Sequence, residues 1–296
     1  MMMEEDVHEG ECRYFRHMPY TLSTDQKEHY RERGYVHLPG VYTPEAVDRA
    51  RELIAKDEET GGWHAAPHAT DSVTTDIYER MPELADIVFN GNYLQAMEQL
   101  FGDETVILAE PAIHRGRYYY WHKDSTFLDA MGEDFHWRED FSAAMTVLYL
   151  QENHPDFGGG ITVVPGTHRD ADWYHRIEKM NLVERAVLKA KKIAGISHYN
   201  RMDKHPELTP IPSKKGDLLV LDMRIDHKGT PKLKPVPHKK YGIMNIACSG
   251  NATAERLRSA LRRRPFLYYS EYLAGQPETT PQLERKEREH GVTIKL

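Results

Sequence analysis

The chain has 296 residues, 40% of them hydrophobic, enough to bury a full core in one large β-rich domain. A net charge of −7 and a pI near 6.2 argue against nucleic acid as a general partner. No run approaches the roughly 18 apolar residues of a membrane span, and Cys12 and Cys248 are too few for a disulfide framework and too far apart for a zinc knuckle, so a cytoplasmic protein is expected.

Residues 1–20 read as a loose N-terminal arm, since Met1 to Glu11 is acidic and has no apolar signal-peptide core. Ser23-Thr-Asp-Gln26 has capping-box spacing and opens a short helix that stops at Gly34. Tyr35–Leu38 follows as a strand and Pro39-Gly40 as a turn. Thr43-Pro44 then opens a helix to about Lys56, with Thr as cap and Pro at the first helical position. Residues 59–72, with Gly61-Gly62, His64 and His68, read as a mobile polar loop. From Pro82 to Phe101, apolar residues at Leu84, Ile87, Val88, Leu94, Met97 and Leu100 predict one core-facing helix ended by Gly102.

From Thr105 the pattern turns to strands: Thr105–Ile113, Tyr118–Trp121 and Ala144–Leu150. Gly158-Gly-Gly-Ile-Thr-Val-Val-Pro-Gly-Thr-His168 is a glycine-led strand closed by a Pro-Gly turn; it lacks the Lys-[Ser/Thr] ending of a phosphate-binding loop. Residues 170–208 interrupt the strands with a basic amphipathic helix, Ile177–Ala194, expected as an insert or lid. Leu218–Asp222 resumes the strands and runs on to His227, and Tyr241–Cys248 is the last of them. Residues 253–296 read as a C-terminal helix, whose basic run Arg256–Arg264 is a solvated face, followed by a polar surface tail. No internal repeat is present.

His122-Lys-Asp124 is the focus of this layout. On an extended backbone residues i and i+2 share a face, so His122 and Asp124 can reach one metal ion. An imidazole and a carboxylate are two parts of the 2-His-1-carboxylate triad, which leaves three positions open on Fe(II). A second histidine must come from far downstream.

Four segments in order resemble the phytanoyl-CoA dioxygenase family: Arg33-Gly-Tyr-Val-His-Leu-Pro-Gly-Val-Tyr-Thr-Pro-Glu-Ala-Val47, His122-x-Asp124, Gly158–His168, and Gly216–Asp222 with His227-Lys-Gly-Thr-Pro231. The match spans roughly residues 28–250. The resemblance implies a mainly β fold with flanking helices, the cupin-like double-stranded β-helix or jelly roll. It also implies Fe(II), O2 and 2-oxoglutarate as cosubstrate, with His122, Asp124 and His227 as catalytic metal ligands. Hydroxylation of a substrate C–H bond would accompany release of succinate and CO2. Related halogenases lack the carboxylate ligand; Asp124 is present, which favours hydroxylation.

The family's arginine for the distal carboxylate of 2-oxoglutarate is missing beyond His227, where His238, Lys239 and Lys240 stand. Lys240 is the expected anchor, ahead of Lys239, with Arg224, Arg117 and Thr230 as other cosubstrate contacts; an ammonium serves as a point charge without the guanidinium fork. Trp121, Tyr119, Trp137, Arg117 and Lys123 are the expected substrate contacts, and with Arg115, His168, Arg169 and Lys228 nearby they suit a small polar or anionic metabolite or natural-product intermediate. The expected partner is that small molecule alone, with no nucleic acid and no membrane, and self-association as a homo-oligomer is left open. Two other readings predict different behaviour: a cupin-type oxygenase that does not use 2-oxoglutarate, and a non-catalytic jelly-roll binding protein.

Overall fold

In a computed structural model the described residues are 20–61, 63–65, 72–115, 120–154, 156–178, 180–231, 233–235, 239–263 and 278–296. The expected N-terminal arm up to residue 19, with Cys12, His68, Arg117, Tyr118, Tyr119 and His238, lies outside them.

Ser23 and Gln26 form the capping box of α1 (Thr24–Arg33), which Gly34 ends at φ 78°. Glycine suits that turn doubly, because a Cβ there would meet His168 Nδ1 at 2.5 Å. The chain passes through β1 (Tyr35–Leu38) into α2 (Pro44–Glu59), capped by Thr43, with Val47, Ala50 and Ile54 on its buried stripe. The stretch read as a mobile loop contributes two short strands, β2 (Trp63–Ala65) and β3 (Ser72–Thr74). After α3 (Ile77–Arg80), the single helix expected over 82–101 is two, α4 (Glu83–Val88) and α5 (Gly91–Phe101). Asn90 separates them and caps α5 by accepting the Tyr93 amide at 3.0 Å. Apolar residues on both sides of the break are buried together, so their spacing alone looks continuous.

The framework strands are β4 (Thr105–Arg115), β5 (Ala143–Tyr149), β6 (Ile161–Val163), β7 (Thr209–Ile211), β8 (Leu218–Asp222), β9 (His227–Gly229), β10 (Tyr241–Ser249) and β11 (Thr293–Lys295). The large sheet runs β1-β8-β5-β10-β4-β3-β2, with β11 also on β4, and the small sheet runs β7-β6-β9. Except for the parallel β11–β4 pair, the pairings are antiparallel, the two-sheet arrangement of a jelly roll. Of the strand expected over 118–121, Tyr120 and Trp121 are described and are not in a strand; the pairing begins at His122, in an isolated bridge to His227.

The large sheet is buried on both faces. Ala144, Leu148, Ile243 and Ala247 pack with residues of α2, α4 and α5, while Val147, Leu219 and Leu221 pack with Ile161, Val163 and Ile211 of the small sheet. Alternate residues of each strand therefore line the space between the sheets. On β10 these inward residues are the even-numbered ones, Met244 and Ile246. β4 slips its register opposite Ile243–Asn245, where Pro111 has no N–H to give to a ladder. Asn245 Oδ1 instead accepts the neighbouring Glu110 amide at 3.2 Å.

After α6 (Thr126–Met131), the insert between β6 and β7 contains α7 (His175–Glu178), α8 (Leu182–Ile193) and α9 (His198–Asp203). The one helix expected there is interrupted before Asn181, which forms a capping box with Glu184 and starts α8 afresh. At the other end of the chain, α10 (Asn251–Arg263) and α11 (Pro281–His290) precede β11. The expected polar surface tail is not a surface appendage: Leu283, Val292 and Ile294 belong to the main core, and β11 pairs with β4 over Thr293–Lys295. Among the described residues no helix is long and apolar enough to cross a membrane.

Candidate metal centre

His227 opens β9 and His122 lies directly across from it. Each amide donates to the other's carbonyl at 3.0 Å, the hydrogen-bonded type of antiparallel pair, which sends both side chains to one face. The imidazole centroids are 4.3 Å apart. Both rings are oriented in the same way: Nδ1 of His122 lies 2.7 Å from the Tyr120 carbonyl oxygen, and Nδ1 of His227 lies 3.1 Å from that of Ile225. A carbonyl only accepts, so each Nδ1 carries the proton and each Nε2 presents its lone pair. Asp124, two residues beyond His122, returns to the same face with Oδ1 3.8 Å from both Nε2 atoms.

One ligand atom from each of His122, Asp124 and His227 lies within 4.8 Å of the other two. Two neutral imidazoles and one carboxylate on one side of a point, with their Nδ1 protons held by backbone, fit a facially bound Fe(II).

The segments carrying these ligands are joined behind them. Lys123, between His122 and Asp124, is 2% exposed; its ammonium donates to the carbonyls of Thr167 at 2.6 Å and Arg224 at 2.5 Å. It also pairs with Asp226, the neighbour of His227, at 3.3 Å. Burial raises the Asp226 carboxyl to about 6, against the pull of Lys123. Lys123, expected to touch substrate, is thus a buried strut between the two ligand-bearing segments; its alternation with His122 and Asp124 turns it away from the metal side.

Of the expected cosubstrate contacts, Lys240 faces inward. It stands just before β10, in phase with Gly242, Met244 and Ile246, and is 5% exposed. Its Nζ donates to the carbonyls of Gly158 and Phe157, and its stem crosses Gly159. At φ +81° Gly159 has no Cβ, and one there would collide with the Lys240 chain. Three others do not come to the site. Lys239 is exposed and paired with Glu58. Thr230 shares the face of Lys228, opposite to that of His227, and bonds Thr162 Oγ1 at 2.8 Å. Arg224 closes its fork on Asp222 at 2.9 and 2.8 Å and lies over the Phe141 ring.

The aromatic expectations are also redirected. Trp121 is buried on the face opposite to His122, donates from Nε1 to Asp203 Oδ1 at 2.8 Å, and packs with Val164, Tyr174 and Met202. Trp137 donates to Asp129 Oδ1 at 2.9 Å, beside His136. Arg117 and Tyr119 lie outside the described residues. Arg115 bonds Glu58, and Lys228 bonds Asp203. Sequence reasoning missed the walls of a cavity of about 90 Å³ that reaches Asp124 between the large sheet and the helices α6 and α10: Leu108, Phe127, Met145, Met223 and Ile246 supply much of its apolar part. Period-2 alternation on β4, β5 and β10 carries the signal for three of them.

Residues 30–233 match the phytanoyl-CoA dioxygenase family. A curated relative, 1-deoxypentalenic acid 11-beta-hydroxylase of Streptomyces arenae, is 27% identical over 223 residues, covering 70% of this chain and 74% of its own. Two solved structures share the fold at lower identity. HygX from Streptomyces hygroscopicus, with nickel and 2-oxoglutarate bound, is 17% identical with a TM-score of 0.56, covering 77% of this chain and 88% of its own. The non-heme alpha ketoglutarate dependent carbocyclase SnoK from nogalamycin biosynthesis is 17% identical with a TM-score of 0.54, covering 80% and 91%. With the family matched over more than half its length, the chain belongs to the phytanoyl-CoA dioxygenases, oxygenases that use Fe(II), 2-oxoglutarate and O2.

Proposed function

We propose that the protein hydroxylates a C–H bond on an apolar portion of a small metabolite, with His122, Asp124 and His227 holding Fe(II) and Lys240 receiving the distal carboxylate of 2-oxoglutarate. The observation that carries this reading is the reciprocal His122–His227 bridge, which aims two Nε2 lone pairs at the Asp124 carboxylate. When bound, iron and 2-oxoglutarate would supply the chemistry that activates O2, one oxygen atom leaving in succinate with release of CO2 and the other entering the substrate C–H bond. The chain supplies the rest. The Tyr120 and Ile225 carbonyls hold the imidazole protons on Nδ1, and Lys123 with Asp226 fixes the spacing of the ligand segments. The apolar walls of the cavity exclude water and orient the substrate.

Lys240 suits its role because it is a buried cation in phase with the inward residues of β10. The Gly158 carbonyl holds the ammonium in place, and an entering carboxylate would share it. The similar Streptomyces arenae enzyme is a hydroxylase of 1-deoxypentalenic acid, which supports a small metabolite as substrate.

Anaerobic titration of Fe(II) with 2-oxoglutarate, followed by visible absorption, tests the assignment. A charge-transfer band is expected in the wild type. Asp124→Ala should abolish it, and Lys240→Ala should weaken 2-oxoglutarate binding by about tenfold or more. Bound iron without a band in the wild type would instead favour an oxygenase that does not use 2-oxoglutarate.

A further inference from the structure

Trp137 does not reach the metal centre; with His136 it holds Asp129, on α6. Trp137 Nε1 donates to Oδ1 at 2.9 Å, and His136 Nε2 lies 2.9 Å from Oδ2. An ionised carboxylate only accepts, so that Nε2 carries the proton. Burial disfavours the charged form of Asp129, but these two hydrogen bonds, with the charges of His136 and His175, outweigh it and hold the carboxyl below its usual range. Asp129 is therefore an oriented anion with lone pairs to spare. Its side chain keeps 17% exposure, so water reaches the edge of the group.

Two residues of the insert meet it there. One oxygen of Asp129, one oxygen of Asp172 and one ring nitrogen of His175 lie within 4.8 Å of one another, and the trio shares no residue with the metal centre. Asp172 is 5% exposed. Its Oδ1 accepts the Tyr174 amide at 2.6 Å. Its Oδ2 is buried with no hydrogen-bond partner among the described residues, and so is Nδ1 of His175. Burial raises the Asp172 carboxyl, and the charge of Asp129 adds to this, against the pull of the Thr126 hydroxyl and the Tyr174 amide.

Two carboxylates this close repel, and buried polar atoms without partners are unfavourable. A divalent cation would answer both, balancing the charge and taking up the oxygen and nitrogen lone pairs. Two carboxylates and an imidazole are a donor set for Zn(II) or a similar ion, with water completing the shell. The hydrogen bonds of His136 and Trp137 to Asp129 are the outer support that a ligating carboxylate needs. We infer that Asp129, Asp172 and His175 form a second cation site, which ties α6 to the start of the insert. α6 begins two residues beyond Asp124, so the ion fastens the insert to the segment that carries a ligand of the first centre. The inference does not depend on the oxygenase reading.

The test is calorimetric titration of Zn(II) alone into the full chain freed of metal. The wild type should take up two ions and His122→Ala one. Asp172→Asn keeps the oxygen that accepts the Tyr174 amide; it should weaken the second site about tenfold or more and leave the Fe(II)/2-oxoglutarate absorption band in place. His175→Gln should do the same. One ion in the wild type and none in His122→Ala overturns the inference, the outcome expected if a protonated His175 alone balances the two carboxylates. A second ion whose affinity survives both Asp172→Asn and His175→Gln overturns it as well. Hydrogen exchange on the wild type decides the matter if the variants do not fold. The second equivalent of Zn(II) should slow exchange in residues 172–178, which carry no ligand of the first centre; unchanged exchange there at saturating Zn(II) counts against the site.

Discussion

The insert α7–α9 and the C-terminal segment α10–β11 both look peripheral in sequence, and the molecule treats them in opposite ways. In the insert, α8 is amphipathic yet buries no residue, and Leu182, Val183, Val187 and Ile193 face outward. Its attachment runs through α9 and the aromatic cluster around Trp173, Tyr174 and His198, and through Asp203, which meets Trp121 and Lys228. The C-terminal segment has a more polar composition but contributes Leu283, Val292 and Ile294 to the main core and adds β11 to β4. An apolar stripe without a surface to meet stays exposed, whereas three apolar residues joined to a strand edge are built in. Backbone pairing, rather than amphipathicity, separates the two.

The same substitution placed in each segment should expose the difference most strongly. Leu283→Ala empties a fully buried site and should cost about 2–5 kcal/mol in chemical denaturation. Leu182→Ala removes an 85% exposed side chain and should change stability by less than about 0.5 kcal/mol. Similar losses at both positions would mean that α8 is covered in solution.

A smaller effect is expected from pH in the insert. Burial, followed by the nearby Arg201 and Lys123 charges, lowers the His198 imidazole to about 4. The ring stacks on Trp173 at 4.5 Å, and Arg201 approaches its Nδ1 at 3.4 Å. Released, the imidazole would titrate near 6.5. The released state therefore binds a proton more readily, and docking of the insert weakens as pH falls from about 6.5 to about 4, then levels off. Allowing for the part of the ring that water reaches, the loss is about 1–2 kcal/mol. Hydrogen exchange of residues 180–203 should accelerate over that window, and His198→Gln should flatten the dependence. A pH response unchanged in His198→Gln would assign the titration elsewhere.

How legible each feature was follows from how local its cause is. Strand alternation and the His122-x-Asp124 spacing are local, and the strands β4, β5, β8 and β10 lie close to where the sequence puts them. The fold of the family followed from four ordered segments. Breaks in helices were also encoded locally, in the caps Asn90 and Asn181, but apolar spacing that continues across a cap hides it. The roles of long charged side chains were less accessible. Lys123 and Lys240 are both lysines beside candidate site residues; only the strand phase, and the carbonyls that each meets, distinguishes a strut from an inward-facing cation. Arg258, 5% exposed where the basic run was expected to be a solvated face, was readable in principle, since it falls on the same helical stripe as Ala254, Leu257 and Leu261, and attention to the charge run obscured the stripe. That the C-terminal segment joins β4 depends on an edge made more than 170 residues earlier, which no local pattern reports.

The smallest effect tests the attachment of the insert directly. The Asp203 carboxyl is disfavoured in its charged form by burial, but hydrogen bonds from Lys228 and Trp121 outweigh that and hold it below the usual carboxylate range. Asp203→Asn keeps an oxygen for the Trp121 Nε1–H and loses the charge opposite Lys228. Because the carboxylate is partly exposed, the change should cost no more than about 1 kcal/mol, a factor of about five in the opening equilibrium. If the insert opens as a unit, exchange should quicken by about that factor in α8 and α9 while β9 and the global melting temperature stay as they were. Faster exchange that extends through Lys228 into β9, with a fall of several degrees in melting temperature, would mean that insert and small sheet unfold together. The insert would then belong to the same cooperative unit as the metal centre, and its contrast with the C-terminal segment would be one of exposure alone.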